Sequence, residues 1–312
     1  MKTIIPFVAR LPAQEQHDWI AALAAELPDA QIVPVAELAS GAGHRTAIVA
    51  NPNPHDLAAL CDLEWVQSLW AGVEKLVVEP ALASLGIARL IDPCLANTMA
   101  EAVLAWTLYL HRDMPQYHLQ QNQRTWRQLP YVAVADRRIG ILGLGELGQA
   151  SAHRLSQNDF DVMGWSRSQK SLSGIRCFHG QSGLDAMIAE SDILICLLPL
   201  TAATRGMIAG PMFAALPTGA SLINFGRGPI VDAEALTKAL DSGHMKHAVL
   251  DVFDEEPLSA GNPLWAHASI TVLPHIAAPT SMVSAAKIVA DNIKNFLNSG
   301  TLPPLVDRAR GY

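Results

Sequence analysis

Three short segments follow apolar, strand-like runs of the sequence and carry side chains that could do chemistry. Arg227 lies between two glycines in LINFGRGPIVD, Asp251 opens the acidic run of VLDVFDEEPL, and His275 follows ITVLP. In an open parallel sheet, ligands bind beyond the carboxyl ends of the strands, where all three segments would lie. A guanidinium there suits a small carboxylate, and a histidine oriented by an acid suits proton transfer to a carbonyl oxygen. The segments therefore predict an active site.

The acidic partner of His275 is not fixed by spacing, because Asp251, Asp254, Glu255 and Glu256 all follow the same strand. Each feature also has a plain structural explanation. A lone histidine after a strand is more often a surface residue, and an acidic run is more often a solvated turn. The catalytic interpretation is favoured because these segments follow successive strands of one predicted sheet.

A strand, a glycine-rich turn and a helix precede these segments. RIGILGLGELG places Gly143, Gly145 and Gly148 at G-x-G-x-x-G spacing. The first glycine allows a tight turn, the second allows a pyrophosphate to approach, and the third lets helix and strand pack closely. The amides of Glu146 and Leu147 would face the phosphates at the helix N-terminus. In this context the motif predicts dinucleotide binding rather than a purely structural turn.

The end of the next strand indicates which dinucleotide is bound. About twenty residues after the glycines, NAD-binding domains place an acid that hydrogen-bonds the ribose. Here DVMGWSRS places Ser166 at the end of the strand and Arg167 directly after it, with Lys170 nearby, while Asp161 lies at the start of the strand. A hydroxyl and a guanidinium bind a 2′-phosphate, which a carboxylate would repel. We expect NADPH, with NADH weaker; the alternative is that Arg167 is a solvated surface residue.

Length, composition and charge limit the remaining possibilities. The chain has 312 residues, half of them apolar and 16% charged, which fits two soluble domains. A net charge of −7 argues against a nucleic-acid-binding protein. Four widely spaced cysteines indicate reduced thiols, with no disulfide framework and no metal site. We expect no signal peptide, no membrane partner and a cytoplasmic location, since the longest apolar helical stretch, 100–110, cannot span a bilayer.

The alternation of strand and helix patterns predicts an α/β protein with two Rossmann-like domains. A doubly wound parallel sheet over 98–284 would bind the dinucleotide. A smaller, flavodoxin-like substrate domain would comprise 1–97 and a returning segment, 285–312, with the active site in the cleft. A long helix is expected over 98–118, beginning with a capping box of Thr98 and Glu101.

Together, the glycine motif, NFGRG, DVFDEEPL and PHIAAPT resemble the D-isomer-specific 2-hydroxyacid dehydrogenase family. The resemblance extends over nearly the whole chain. It includes SLWAGVEKL (68–76), similar to the family's substrate-carboxylate loop, and LLPLTAATRGMI (197–208), similar to its segment at the edge of the cofactor. Arg167, after the second strand of the nucleotide-binding domain, and the terminal DRARGY are most similar to the corresponding residues of the bacterial glyoxylate/hydroxypyruvate reductase A group.

This resemblance assigns roles to individual residues. It implies that Arg227 anchors the substrate carboxylate and polarises the keto group, that His275 donates the proton, and that Glu256 is its partner. Asp251 would lie near the nicotinamide as a structural or cofactor contact. The backbone of the substrate loop would hold the carboxylate through Ala71, Gly72 and Val73. Trp70 would be either a wall of the pocket or a core residue.

The expected cofactor site combines residues from several segments that follow the glycine-rich strand. Its expected residues are Gly143, Gly145, Glu146, Leu147, Gly148, Ser166, Arg167, Lys170, Leu198, Pro199, Thr204, Phe225, Gly226, Asp251, His275 and Ala277.

The implied reaction is the NADPH-dependent reduction of a small 2-oxoacid, glyoxylate to glycolate or hydroxypyruvate to D-glycerate. One alternative is another dehydrogenase of the family, such as a phosphoglycerate dehydrogenase. Another is a nucleotide-sensing, corepressor-like binding protein on the same scaffold. The family also implies a homodimer through the 98–118 helix, although that helix could pack within its own domain.

Overall fold

The computed structural model describes residues 2–38 and 43–312. They form two compact units, here called the first unit (Met1–Cys94 with Thr280–Tyr312) and the second unit (Leu95–Pro279). The expected domain bounds, 1–97 with 285–312 and 98–284, stay a prediction of where the functional domains divide. None of the helices described in these ranges is long and apolar enough to cross a membrane.

The first unit is built on a parallel sheet of five strands in the order β2-β1-β3-β4-β5, which is the flavodoxin-like order. The strands are β1 (Thr3–Ala9), β2 (Ala30–Pro34), β3 (Thr46–Ala50), β4 (Trp65–Ser68) and β5 (Gly86–Ala88). The helices are α1 (Ala13–Glu26), α2 (Pro54–Ala58), α3 (Glu74–Val77) and α10 (Met282–Ser299), with short 3-10 turns at Val35–Glu37 and Pro80–Leu82.

The two faces of this sheet have separate apolar cores, because successive side chains of a strand point to opposite faces. In β3, Ile48 belongs to the core that holds α1 and α10, whereas Ala47 and Val49 belong to the other. Trp19 of α1 and Val289 of α10 are both buried in the first of these cores. The first unit therefore completes its packing with a helix that follows the whole of the second unit in the chain.

The second unit contains a parallel sheet of seven strands in the order β12-β11-β10-β9-β6-β7-β8. The strands are β6 (Arg138–Leu142), β7 (Asp161–Ser166), β8 (Arg176–His179), β9 (Ile193–Cys196), β10 (Ala220–Asn224), β11 (Met245–Leu250) and β12 (Ile270–Val272). The helices are α4 (Pro93–His111), α5 (Met114–Asn122), α6 (Glu146–Ser156), α7 (Gly180–Glu190), α8 (Gly210–Ala215) and α9 (Ala233–Asp241), with 3-10 turns at Val134–Asp136, Gly228–Ile230 and Pro263–Ala266. The first two residues of α4 belong to the first unit.

The chain builds this sheet in two directions from β6. It proceeds outward through β7 and β8, then returns to β9 on the other side of β6 and continues to β12. Such a reversal creates a switch point at the carboxyl ends of β6 and β9, the preferred ligand site in doubly wound sheets. Both faces of the sheet are buried, since Ile195 and Cys196 of β9 belong to different cores. The predicted fold class, two Rossmann-like α/β parts with parallel sheets, is confirmed.

The prediction of one helix over 98–118 was wrong, because the first helix begins earlier and a second helix replaces its last part. Helix α4 begins at Pro93, and the carboxylate of Asp92 accepts the amide of Cys94 at 2.8 Å, so Thr98 lies inside the helix and does not cap it. The chain breaks at Asp113, whose φ is 55°, before α5 begins. Proline suits the first turn of a helix but not its interior, which explains why a new helix begins at Met114, with Pro115 in its first turn.

Candidate active site

The glycine-rich turn between β6 and α6 has the geometry that its sequence predicted. Gly143 adopts a φ of 103°, which favours glycine. A Cβ on Gly148 would lie 1.8 Å from the carbonyl oxygen of Gly143, so only glycine fits there. A Cβ on Gly145 would meet nothing within 4 Å. Because the N-cap residue of α6 is this glycine, no N-cap side chain covers the first amides of the helix. The turn therefore presents the first amides of α6, beginning at Glu146, beside open space, while Leu147 packs partly against the core.

The end of β7 lies next to this turn. Gly143 donates its amide to the carbonyl of Trp165 at 2.9 Å, which places Ser166 beside the glycines. The Ser166 hydroxyl donates to the carbonyl of Ser168 at 2.6 Å, and both Arg167 and Lys170 are exposed.

The acidic residue of the same strand lies elsewhere. Asp161 is at the opposite end of β7, where it pairs with Arg176 at 3.0 Å. The strand end next to the glycines therefore carries a hydroxyl and two cations rather than a carboxylate.

The segment after β9 borders the turn on its other side. Leu197 donates its amide to Leu142 at 2.9 Å, which extends the β9–β6 pairing, and the neighbouring Leu198 is buried. Thr204 folds back to donate its hydroxyl to the carbonyl of Pro199 at 2.7 Å. The expected cofactor-edge residues thus form a closed loop at the switch point.

Arg227 is held by the asparagine that ends β10. The side-chain oxygen of Asn224 accepts the amide of Gly226, and its amide group donates to the carbonyl of Arg227, both at 3.1 Å. The guanidinium of Arg227 donates to the carbonyl of Gly226 at 2.8 Å. A Cβ on Gly228 would lie 2.0 Å from the backbone carbon of Phe253, so glycine is required after the arginine. The bend is thus fixed on both sides.

Sequence reasoning missed Asn224. The available signal was an asparagine at the end of an apolar strand, because a buried amide must find hydrogen-bond partners nearby. Asn224 is 1% exposed, and the Arg227 turn supplies those partners.

His275 and Glu256 form a direct pair. The Nδ1 atom of His275 lies 2.7 Å from one carboxylate oxygen of Glu256, and the other oxygen accepts the amide of Phe253 at 2.9 Å. The side chain of His275 is 52% exposed, so a ligand could reach the ring. Spacing left four acids open as the partner; the geometry places Glu256 in contact with the imidazole, as the resemblance implied.

Asp251 organises the turn that carries His275. Its two carboxylate oxygens accept the amides of Ile276 at 2.7 Å and Ala277 at 2.9 Å. Asp251 is 1% exposed, and burial raises the pKa of its carboxyl, although the two amide hydrogen bonds oppose this rise. His275 itself has a φ of 55°, a strained conformation that this clamp stabilises.

Backbone hydrogen bonds continue across the ends of three strands. Asp251 donates its amide to the carbonyl of Asn224 at 3.1 Å, and His275 donates its amide to the carbonyl of Asp251 at 3.0 Å. The segments of Arg227 and of the His275–Glu256 pair are therefore laterally connected at one sheet edge. Phe225 and Ala277 are buried in the core beneath, and Gly226 is tightly packed against the carbonyl of Leu198.

The expected substrate loop lies in the first unit, after β4. The amide of Trp70 donates to the hydroxyl of Ser68, and its carbonyl accepts the amide of Leu90, both at 3.0 Å. The indole packs edge-on against Trp19, with ring centroids 5.8 Å apart, so the side chain of Trp70 is at least partly a core residue. Val73 is buried.

The loop residues between them, Ala71 and Gly72, are half-buried. Their amides lie between two anchored residues, and this is the part of the first unit to which the family resemblance assigned carboxylate binding.

Comparison with known proteins identifies the family to which the chain is similar. Residues 104–277, more than half of the chain, match the family model described as "D-isomer specific 2-hydroxyacid dehydrogenase, NAD binding domain". A D-isomer specific 2-hydroxyacid dehydrogenase from Xanthobacter autotrophicus Py2, solved with NADPH and MES, is 38% identical, with a TM-score of 0.91 and 100% of both chains covered.

Two further solved structures are similar. An NADPH-dependent glyoxylate/hydroxypyruvate reductase from Sinorhizobium meliloti, solved with NADP and sulfate, is 31% identical, with a TM-score of 0.91 and 100% of both chains covered. A D-isomer specific 2-hydroxyacid dehydrogenase family protein from Klebsiella pneumoniae 342 is 35% identical, with a TM-score of 0.87 and 98% of both chains covered. With the glycine turn, the histidine–glutamate pair and the anchored arginine on one scaffold, the chain belongs to the D-isomer specific 2-hydroxyacid dehydrogenase family.

Proposed function

We propose that this oxidoreductase reduces small 2-oxoacids with NADPH, converting glyoxylate to glycolate and hydroxypyruvate to D-glycerate. The observation that carries the proposal is the His275–Glu256 pair, which lies on the same sheet edge as Arg227. The similar reductase from Sinorhizobium meliloti is described as acting on glyoxylate and hydroxypyruvate with NADPH, which supports this choice of substrates.

In this proposal His275 is the proton donor and Glu256 supports it. Glu256 accepts the Nδ1 proton of His275 and so orients the ring, leaving Nε2 to carry the proton that goes to the keto oxygen. The hydrogen bond from Phe253 fixes the carboxylate in turn. The ring therefore needs little reorganisation when the oxygen gains charge.

Arg227 and the substrate loop bind the carboxylate. A guanidinium can hold a carboxylate through two parallel charge-assisted bonds, and the Asn224 contacts fix the backbone from which this one projects. The amides of Ala71, Gly72 and Val73 serve as further donors. Fixing the carboxylate orients the adjacent keto group for attack, which is a large part of the rate enhancement expected of such a site.

The residues at the switch point fit a dinucleotide. Open space beside Gly145 and an α6 N-terminus without a side-chain cap suit a pyrophosphate. Ser166, Arg167 and Lys170 suit the 2′-phosphate that distinguishes NADPH. When bound, the coenzyme supplies the hydride that is added to the keto carbon.

Initial rates with NADPH and NADH test both the activity and the coenzyme. We expect turnover of glyoxylate and hydroxypyruvate by the wild type, with NADPH preferred. In Arg167→Ala, kcat/KM for NADPH should fall about 10–100-fold, the worth of one lost charged hydrogen bond, whereas kcat/KM for NADH should barely change.

Three outcomes would count against parts of this proposal. Equal losses with both coenzymes would contradict the phosphate site while leaving the reductase standing. Turnover confined to bulkier 2-oxoacids would contradict the substrate assignment. No turnover of any 2-oxoacid would contradict the proposed activity.

We also propose a homodimer formed through the 98–118 region. Several large apolar side chains of α4, α5 and the segment that follows are exposed, which is typical of a surface that another protein covers. They are Leu108, Met114, Tyr117, Leu119, Trp126 and Tyr131.

A cytoplasmic location completes the proposal. None of the four cysteines, all of which lie in the described ranges, forms a disulfide, as is usual in a reducing compartment. Cell fractionation with an antibody against the protein would test it, and recovery outside the cytoplasmic fraction would contradict it.

A further inference from the structure

Within the first unit, the segment 305–312 packs against β5 and against the apolar core that the substrate loop shares. Val306 donates its amide to the carbonyl of Ile87 at 2.8 Å, so the segment runs along the end of β5. Its side chain covers the apolar core that contains Val73 of the loop and Leu76 of α3. The segment and the loop therefore share one packed core.

Arg308 of this segment binds three backbone carbonyls. Its guanidinium donates to the carbonyl of Val77 at 2.9 Å, to that of Leu85 at 3.0 Å and to that of Leu82. Val77 ends α3, and Leu82 ends the following 3-10 turn. Positive groups at the carboxyl ends of helices are favourable, because the last carbonyls there have no partners within the helix. A forked guanidinium can serve several of them at once.

Helix α3 connects this contact to the substrate loop. It is only four residues long, and a single helical turn is not stable by itself in water. The amides of Leu76 and Val77 both donate to the carbonyl of Val73 at 3.0 Å. Val77 is thus bound at its amide by the loop and at its carbonyl by Arg308, and two hydrogen bonds separate the guanidinium from Val73.

We propose that Arg308 is a positioning residue for the substrate carboxylate. It fixes α3, and α3 fixes the backbone of residues 71–73, whose amides the proposed function assigns to that carboxylate; the inference rests on that function. In this proposal Arg308 acts through α3, without direct contact to substrate or coenzyme. Its effect is confined to how well ordered the loop amides are before the oxoacid binds.

Arg310 offers a matched control two residues away. It pairs with Asp307 at 3.0 Å and its side chain is 69% exposed. Arg308→Ala and Arg310→Ala remove the same charge from the same segment, but only the first removes the contacts to α3. Arg308→Lys keeps the charge without the planar fork and serves as a second variant if the alanine variant folds poorly.

Two measurements test the proposal: amide hydrogen exchange over 70–78 in the free protein, and steady-state kinetics with glyoxylate and NADPH. In Arg308→Ala we expect faster exchange over 70–78 and a rise of about tenfold in KM for glyoxylate, the effect of about 1.4 kcal/mol. The KM for NADPH and kcat should change less than about twofold, since the second unit is untouched. Arg308→Lys should lie between, and Arg310→Ala should match the wild type.

Equal behaviour of Arg308→Ala and Arg310→Ala would overturn the proposal. Faster exchange with an unchanged KM for glyoxylate would overturn it too, as would equal rises in both KM values, which a general loss of structure would cause. Absence of turnover in the wild type would instead contradict the proposed function, and the exchange comparison, which needs no turnover, would still show whether Arg308 orders the loop.

Discussion

At the scale of single residues, the contact between Glu256 and His275 gives the sharpest test of the chemistry. Glu256→Gln removes the negative charge that orients and stabilises the protonated ring. We expect kcat to fall about 100-fold, within the usual contribution of general acid catalysis, with little change in the KM of either substrate. Stopped-flow and steady-state rates of glyoxylate reduction would measure it.

Glu255 provides the control for that substitution. It is an exposed acid in the same run, and Glu255→Gln should leave the rates close to those of the wild type. Equal loss of activity in both glutamine variants would contradict a specific role of Glu256. It would indicate that the acidic run acts on His275 through its total charge.

The residues of the site differ in how far the sequence could predict them. Glycines, Arg227 and His275 were recognisable because each fills a position that few other residue types can occupy. The choice of Glu256 among four acids depended on a turn whose path no spacing rule gives. Asn224 was missed because its role depends on how the backbone turns after β10. That turn brings the amide of Gly226 and the carbonyl of Arg227 within hydrogen-bond distance of the Asn224 side chain.

At the scale of elements, the glycine-rich turn separates binding from stability. Gly145→Ala places a methyl group in open space at an ordinary φ of −76°, so the fold should tolerate it. Because that space suits the pyrophosphate, KM for NADPH should rise at least about tenfold. Gly148→Ala places the methyl group 1.8 Å from the carbonyl oxygen of Gly143 and should cost about 1–3 kcal/mol of unfolding free energy.

Thermal unfolding and coenzyme titration distinguish these two effects. A Gly145→Ala protein with normal stability and normal NADPH affinity would contradict the placement of the pyrophosphate. A Gly148→Ala protein as stable as the wild type would show that α6 can move away from β6 without cost.

The strands were easier to predict than the helix boundaries. Continuous apolar runs identified the buried parallel strands, since each strand contributes to two cores at once. The 98–118 prediction failed because it relied on a capping box and did not weigh Pro115. An Asp92 cap and the break at Asp113 both arise from local backbone hydrogen bonding and proline geometry, which compete with apolar periodicity.

At the scale of the whole molecule, one buried histidine affects the response to acid. His247 in β11 is 4% exposed, its Nε2 lies 2.9 Å from the hydroxyl of Thr271, and burial lowers its pKa from 6.5 to about 4. Above pH 6.5 the ring is neutral in both states. Between pH 6.5 and about 4 the unfolded chain binds a proton that the folded chain does not, so stability falls as the pH falls.

Urea unfolding of the wild type and of His247→Gln at pH 7, 6, 5 and 4 would measure this effect. Between pH 6.5 and about 4, the wild type should lose more unfolding free energy than the variant, by on the order of 3 kcal/mol. The glutamine variant should show a shallower decline. Parallel declines in the two proteins would indicate that other groups govern the acid response.

The proposed dimer is tested by charge placed on its surface. Leu119→Lys in α5 should shift the protein towards monomer in size-exclusion chromatography with light scattering, because a buried lysine at an interface lacks a partner. Val283 of α10 is 80% exposed, and Val283→Lys is the matched control in the first unit. A wild-type monomer at micromolar concentration, or an unchanged mass for Leu119→Lys, would contradict the proposed interface.

The first unit is assembled from both ends of the described chain, while the second unit lies within a single interval. During synthesis, the ribosome therefore delivers all of 95–279 before it delivers α10. Until then Trp19 and Leu23 of α1 lack the buried alanines and valine of α10 that cover them in the folded protein. The apolar face of α1 therefore stays without this cover until translation reaches α10, and by then every residue of the second unit has been synthesised.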